Sequence, residues 1–372
     1  MKVLQVGKFF PIVGGVEKVM YDIIMGMSQR KDIKSDMLCA SINRQAKLFS
    51  ISGNVKIMCT PSWKKVFATM ISPAMITKLR SIKNDYDIIH IHHPDPMATV
   101  ALWLSGYKGK VVLHWHSDIL KQKMALKLYT PLQKWLICRA DVIVGTSPLY
   151  LQKSPFLQSL SLHKLCIPIG IDPIIPNQEK SAVIREKYKG KRIVFSLGRI
   201  VEYKGYKYLI EAAKYLQDDY IILIGGNGPL KQKLQYFIEA NHLCNKVELL
   251  GRISDDDLPA YYGACDLYVL SSIWKTEAFG IVQIEAMSCG KPVVATKIAG
   301  SGVSWVNEDG VSGINVEPEN AEEIAKAIVS ILSDKESYCR FSQGAKNRYD
   351  TLFRKELMID KCVELYKSLI NK

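Results

Sequence analysis

The chain has 372 residues, 48% hydrophobic and 23% charged, which excludes collagen-like, low-complexity and wholly disordered classes and suits two domains. Its net charge of +14 lies entirely in the first half: residues 1–171 carry 23 Lys and Arg against 9 Asp and Glu, and the rest carries 27 of each sign. No run approaches the roughly 18 apolar residues of a membrane span, residues 1–15 lack a signal peptide's apolar core, and nine cysteines without a C-x-x-C pair argue against a disulfide framework or zinc ribbon, so a cytoplasmic chain with reduced thiols is expected.

Short Val-, Ile- and Leu-rich runs alternate with longer amphipathic stretches, the pattern of successive βα units around parallel sheets. Strands are predicted near 3–7, 88–92, 111–115, 142–145 and 165–168, then near 193–197, 221–225, 247–250, 267–270 and 292–295. These make an α/β chain of two doubly wound, Rossmann-like domains, 1–171 and 172–354. The join falls at 169–173, where Gly170 and Pro173 interrupt regular structure ahead of the polar stretch 176–180. Residues 355–370 read as an amphipathic helix with Leu357, Ile359, Val363, Leu365 and Leu369 to cover. Because open α/β sheets bind ligands beyond the carboxyl ends of their strands, chemistry is expected in a cleft between the domains.

Three segments stand where such chemistry belongs. Gly14 and Gly15 precede a helix over 17–27; paired glycines there admit an anion to backbone amides, and a tight βα turn uses them equally well. Gly198 to Ala212 follows a strand and sets Arg199 and Lys204 five residues apart, able to converge on a diphosphate or to remain solvated surface charge. In residues 276–292, Glu277 stands before a helix and Glu285 two turns along it, in an apolar stretch where a carboxylate needs a partner: a sugar diol or a salt bridge. The amides at Gly280 and Ile281 would start a second anion-binding helix.

Taken in this order, the segments resemble the retaining family 4 glycosyltransferases of the GT-B fold over nearly the whole chain. The match rests on the E-x7-E spacing of Glu277 and Glu285 and the G-R-x4-K-G block from Gly198 to Gly205, with support from Gly14-Gly15, residues 226–229, 247–252 and 290–294. The resemblance implies that Arg199 and Lys204 hold the donor diphosphate, and that Glu285 holds the ribose hydroxyls. It gives Glu277, Phe279, Gly280 and Ile281 the transferred sugar and adjoining phosphate, Gly228 a place in the donor loop, and Arg252 the nucleobase edge. It further implies that His116 approaches the transferred sugar, with Asp118 as orienter or acceptor contact; His114 shares the face of His116 and leaves that choice open. Ala278, Asn227 and the stretch 299–305 depart from the commoner family pattern and leave the donor sugar open. The 300–305 variant, with His116 to Ile119, resembles a bacterial subgroup that builds surface polysaccharides such as O-antigen or capsule, often from GDP-mannose or a related donor.

Two further motifs have competing readings. His90, His92, His93 and Asp95 are spaced like binuclear metallohydrolase ligands, but later ligand clusters are lacking, and a strand end turning polar groups toward the acceptor is the better account. Ser254 to Asp257 is explained by capping of a helix over 258–264. No obligatory metal or other cofactor is expected. Residues 62–80 and 121–135 mix basic and bulky apolar side chains, fitting either anionic lipid headgroups or ordinary amphipathic helices; the charge of this half favours the membrane.

The sequence therefore points to a retaining hexosyltransferase using a nucleotide-sugar donor and a polyprenyl-diphosphate-linked glycan acceptor, peripheral at the inner face of the cell membrane. A nucleotide-sugar epimerase shares the frame. A nucleic-acid-binding protein explains the charge, but no DNA or RNA module accompanies it, so nucleic acid is not an expected partner.

Overall fold

The computed structural model describes all residues except 13, 67–68, 120–122, 159–162 and 372, and the backbone alone for 123–125. The chain divides into two units, Met1–Gly170 with Lys355–Lys372, and Ile171–Arg354.

The first unit contains β1 (Lys2–Phe10), β2 (Lys34–Ser41), β3 (Lys47–Ser52), β4 (Val55–Thr60), β5 (Lys64–Val66), β6 (Thr69–Ile71), β7 (Ile88–His93), β8 (Lys110–Trp115), β9 (Val142–Gly145) and β10 (Lys164–Cys166). Eight of these form one sheet in the order β10-β9-β8-β7-β1-β2-β4-β3, parallel except for β3, while β5 and β6 make a separate antiparallel pair. Strand order reverses at the β1/β7 junction, where successive crossovers leave in opposite directions and open a crevice at the strands' carboxyl ends.

The second unit contains β11 (Arg192–Leu197), β12 (Tyr220–Gly225), β13 (Val247–Gly251), β14 (Leu267–Leu270), β15 (Val293–Thr296) and β16 (Gly313–Val316), all parallel in the order β13-β12-β11-β14-β15-β16. Its reversal falls between β11 and β14. The central strands β12 and β14 are buried along their whole length, as runs covered on both faces must be.

Several segments differ from expectation. Strands β2 to β6 and β16 lie outside the predicted set; β2 hides because Ser35, Asp36 and Ser41 interrupt its apolar run. Asp36 is tolerated in the interior because it accepts from Tyr86 OH at 2.7 Å and Lys56 N at 2.8 Å. The polar stretch 176–180 starts a helix, Gln178–Lys187, capped by Asn177, whose Oδ1 accepts from Lys180 N at 3.0 Å. Residues 62–80 form the β5/β6 pair and then the helix Pro73–Ile82; residues 121–135 fall mostly within the helix Lys123–Arg139. Of these two basic segments, residues 67, 68, 121 and 122 lie outside the described residues, as does Val13 of the first glycine loop.

The terminal helix Lys355–Ile370 packs in the first unit through Met358, Ile359, Cys362, Val363, Leu365, Tyr366 and Leu369, with Leu357 half-buried. It lies so close to the helix Gly15–Ser28 that a Cβ on Gly26 would stand 1.8 Å from Ile359 Cδ1. Arg30 pairs with Asp360, and Lys367 Nζ stands 2.9 Å from Asp32 Oδ2.

Candidate active site

In the second unit, the loops leaving β11 and β14 meet at the reversal of strand order. The β11 loop turns through the short 3-10 helix Glu202–Lys204 and Gly205, at φ +65°. A Cβ on Gly205 would lie 2.1 Å from Ser271 O, so only glycine lets this loop approach the end of β14. Ile273 N donates to Tyr203 O at 2.8 Å and Ser271 Oγ to Lys204 O at 2.9 Å, fixing one loop against the other.

The result brings Lys204 and Glu277 together. Lys204 Nζ donates to Glu277 Oε2 at 2.5 Å, and Ser272 Oγ donates to the same oxygen at 3.0 Å, leaving Oε1 without a hydrogen bond among the described residues. Burial alone pushes the Lys204 ammonium down; the adjacent Glu277 charge outweighs it and holds the group above its usual range. Lys204 is thus a fixed, desolvated cation. Arg199, at the carboxyl end of β11, is exposed and has no side-chain partner among the described residues.

The helix Ile281–Ser288 follows, its N-cap Gly280 at φ +76° and without a capping side chain, which leaves first-turn amides for an acceptor. Phe279 contributes backbone only: its ring is buried, edge-on to Phe353 with centroids 5.9 Å apart. Glu285 accepts from Tyr262 OH at 2.6 Å, so the partner its apolar stretch demands includes a tyrosine from the neighbouring helix Leu258–Ala264. Gly226 and Gly228 pack on the β11 loop; a Cβ on Gly228 would sit 2.3 Å from Ile200 O. Arg252 is exposed beyond β13, at the sheet's edge, beside a cavity of about 380 Å³ that it shares with Ile253, Tyr261 and Lys180. Nearby, Ser254 Oγ accepts from Asp257 N at 3.1 Å and donates to Asp257 Oδ2 at 2.7 Å, so the acidic run closes on itself at the start of its helix.

In the first unit, Gly14 caps the helix Gly15–Ser28 without a side-chain acceptor. Glu17 folds back over that start: its Oε2 is 2.7 Å from where a Gly14 Cβ would stand, so an anion at Gly14-Gly15 would share the place with a carboxylate.

The histidines require a correction. His90, His92 and His93 do not turn toward an acceptor; all three are fully buried, because β7 lies in the middle of a sheet covered on both faces. His90, His92, His114 and His116 stack, with ring centroids 4.6 Å apart for His90–His92 and 4.0 Å for His114–His116, and His93 stacks on Trp115 across the sheet at 3.8 Å. Burial depresses all five imidazoles, His93 and His114 to about 3. Only His116 retains any exposure, 5%.

Asp118 does not orient His116. Its Oδ1 accepts from Trp115 Nε1 at 2.9 Å and Ser154 Oγ at 2.7 Å, folding its own loop, and His116 instead bonds His92, Nε2 to Nδ1 at 2.9 Å. Sequence reading also missed Lys8. This residue, at φ +55° in β1, is 8% exposed, donates its N–H to Asp95, and faces His92, His93 and His116. A lysine interrupting, with Gln5, the apolar run 3–10 was the available signal.

His90, His92 and His114 could present one nitrogen each within 4.8 Å of one another, but the set fits a metal poorly. Tetrahedral zinc needs nitrogens about 3.4 Å apart around one point, whereas these rings lie face to face, both His92 nitrogens are hydrogen-bonded, and His90 Nδ1 is bonded to Tyr366. Asp95, the acid of the metallohydrolase-like spacing, caps the helix Pro96–Ser105 through Met97 N and Ala98 N at 3.0 and 3.2 Å.

Residues 13–152 match the family described as Glycosyltransferase Family 4, and residues 177–348 that described as Glycosyl transferases group 1. The chain belongs to glycosyltransferase family 4. This family 4 chain is 29% identical over 374 residues to O-antigen chain mannosyltransferase C of Escherichia coli, covering 100% of itself and 99% of that protein. It is 29% identical over 358 residues to D-rhamnosyltransferase WbpZ of Pseudomonas aeruginosa, covering 95% and 92%. Among solved structures it is similar to sucrose-phosphate synthase of Thermosynechococcus elongatus (TM-score 0.80, 20% identity, covering 100% and 99%). It is also similar to Anabaena HepE in complex with UDP and glucose (TM-score 0.77, 21% identity, covering 99% and 100%). The fold is GT-B, and the chain is a glycosyltransferase.

Proposed function

We propose that this glycosyltransferase moves a hexose, with retention of anomeric configuration, from GDP-mannose or a UDP-sugar to a polyprenyl-diphosphate-linked glycan in bacterial surface-polysaccharide synthesis, O-antigen or capsule. The observation that carries the reading is the buried Lys204–Glu277 pair at the β11/β14 reversal, beside exposed Arg199 and the uncapped start of the helix Ile281–Ser288. Arg199, Lys204 and the amides of Gly280 and Ile281 concentrate positive potential where a leaving diphosphate gains charge. Glu277 Oε1 accepts from a sugar hydroxyl, Glu285 with Tyr262 binds the ribose, Gly228 lines the donor loop, and Arg252 with its cavity takes the nucleobase.

Glu277 is tied to Lys204 and Ser272, so it serves as a hydroxyl acceptor rather than a covalent nucleophile. The reaction is front-face, the departing diphosphate drawing the proton from the incoming acceptor hydroxyl. No metal takes part: Lys204 and Arg199 supply the charge. His116 approaches the transferred sugar. No helix among the described residues is long and apolar enough to cross a membrane; the basic first unit holds the enzyme to the anionic inner face of the cell membrane. The names of the O-antigen mannosyltransferase and rhamnosyltransferase relatives support the bacterial polysaccharide setting.

The test is incubation of the protein with GDP-mannose or UDP-hexoses and a polyprenyl-diphosphate disaccharide, without added metal and with chelator, followed by NMR of the product. Transfer giving the donor's anomeric configuration supports the reading. An isomerised nucleotide sugar formed without acceptor makes the protein an epimerase, and inverted product removes the front-face mechanism.

A further inference from the structure

A continuous hydrogen-bonded chain runs through the interior of the first unit from the terminal helix to His116. Gln5 of β1 is fully buried; its Nε2 donates to Tyr366 OH at 3.0 Å, and its Oε1 is 2.8 Å from His92 Nε2. Tyr366 OH is 2.6 Å from His90 Nδ1, and His92 Nδ1 is 2.9 Å from His116 Nε2.

The Gln5 amide, with its Nε2 on Tyr366 and its Oε1 on His92, sets the polarity of this chain. Tyr366 OH accepts from Gln5, which leaves its own proton available to His90 Nδ1. The Gln5 oxygen can only accept, so His92 carries its proton on Nε2 and offers a lone pair at Nδ1. His116 must then donate from Nε2, and its Nδ1 is the unprotonated nitrogen. The groups facing His116 are Lys8 from β1, His90, His92 and His93 from β7, and His114 from β8. Every one of them is a cation or can become one, so none favours a second proton on His116.

We propose that Gln5 and Tyr366 are positioning residues: through His92 they hold His116 as the neutral Nε2–H tautomer, so that Nδ1 can only accept a hydrogen bond. His116 then takes a hydroxyl proton of the transferred sugar or the acceptor, and cannot donate to a sugar oxygen. The inference rests on the reading of His116 as the histidine near the transferred sugar, but the tautomer is a property of the free protein. The polarity also links the terminal helix to the site's chemistry, because the Tyr366 hydroxyl is the acceptor on which the Gln5 amide nitrogen rests. With that amide reversed, each donor in the chain becomes an acceptor and His116 presents Nδ1–H.

The experiment is long-range proton–nitrogen NMR of the full chain labelled with 15N-histidine, the His116 signals being assigned by loss in His116→Asn. The expected spectrum shows His116 Nε2 protonated and Nδ1 unprotonated between pH 6 and 8; an Nδ1–H form or an imidazolium in that range overturns the proposal. Tyr366→Phe is expected to give both tautomers at His116. It is also expected to lower kcat about tenfold, the worth of one hydrogen bond, while the donor KM stays within about twofold. An unchanged tautomer in Tyr366→Phe, or a loss confined to KM, also overturns it. If Tyr366→Phe does not fold, the wild-type spectrum decides alone. Wild-type protein that shows the stated tautomer but neither binds nor transfers any nucleotide sugar sinks the proposed function and leaves the chain of bonds standing; the opposite pair of results does the reverse.

Discussion

Arg199 and Lys204 stand five residues apart with the same charge, yet their surroundings separate what each substitution does. Arg199 is exposed, so Arg199→Ala should cut turnover on the order of a hundredfold, the usual cost of one transition-state donor, with the melting temperature unchanged. Lys204→Ala should cost a similar factor in rate and also about 3 kcal/mol of stability, because it strands the Glu277 carboxylate in a site where Glu277's side chain is only 13% exposed. Turnover assays paired with urea denaturation check both; equal stability losses in the two variants would remove the asymmetry. The sequence made these residues legible because motif spacing records which groups the chemistry uses. It did not reveal that Lys204 and Glu277 bond each other, since the loops that join them are 73 positions apart. Lys8 and Gln5 escaped notice for a related reason: a polar residue inside an apolar strand looks like noise until its neighbours are known.

At the scale of elements, the approach of the β11 loop to the end of β14 depends on Gly205. Gly205→Ala places a methyl group against the Ser271 carbonyl in a left-handed backbone conformation, so one loop must move and take Lys204 with it. Gly190 has a comparable φ of +78° but open space around it. Gly190→Ala should therefore lose only about 1 kcal/mol, the conformational term, while Gly205→Ala loses several times that and most of the activity. Denaturant midpoints and turnover of the two variants make the comparison; similar losses would contradict the close approach. Predicted strands in the apolar runs, from β1 through β15, appear in the structure within a few residues of their expected ends. β2 is not legible because buried Asp36 and Ser35 mimic a loop, and the histidines of β7 read as a strand end turned toward the acceptor because imidazoles in a strand rarely fill a core.

For the whole molecule, the two units differ in their liability toward acid. The first holds five neutral, buried imidazoles, two of them with pKa values near 3, whereas in the unfolded chain they titrate near 6.5. Above pH 6.5 neither state binds these protons and they leave stability alone. Below it the unfolded chain binds them and the folded chain does not, so stability falls by roughly 1.4 kcal/mol per pH unit for each imidazole down to the folded values. The second unit has only His242, a surface residue. Hydrogen exchange at pH 5 should accordingly show protection lost from β1, β7 and β8 before β11, β12 and β14. Simultaneous loss in both sheets would contradict this order.

The division of charge, with 27 Lys and Arg against 12 Asp and Glu in the first unit and 23 against 24 in the second, leaves the donor to local groups rather than to a general positive field. The most direct measurement is calorimetric titration of wild type, Arg199→Ala and Glu285→Gln with GDP-mannose and UDP-hexoses. One nucleotide sugar should bind the wild type, at least tenfold more weakly in Arg199→Ala, where a charge-assisted contact is lost, and more weakly in Glu285→Gln. Equal affinity in all three proteins, or no heat with any donor, would contradict a diphosphate held at the β11/β14 reversal.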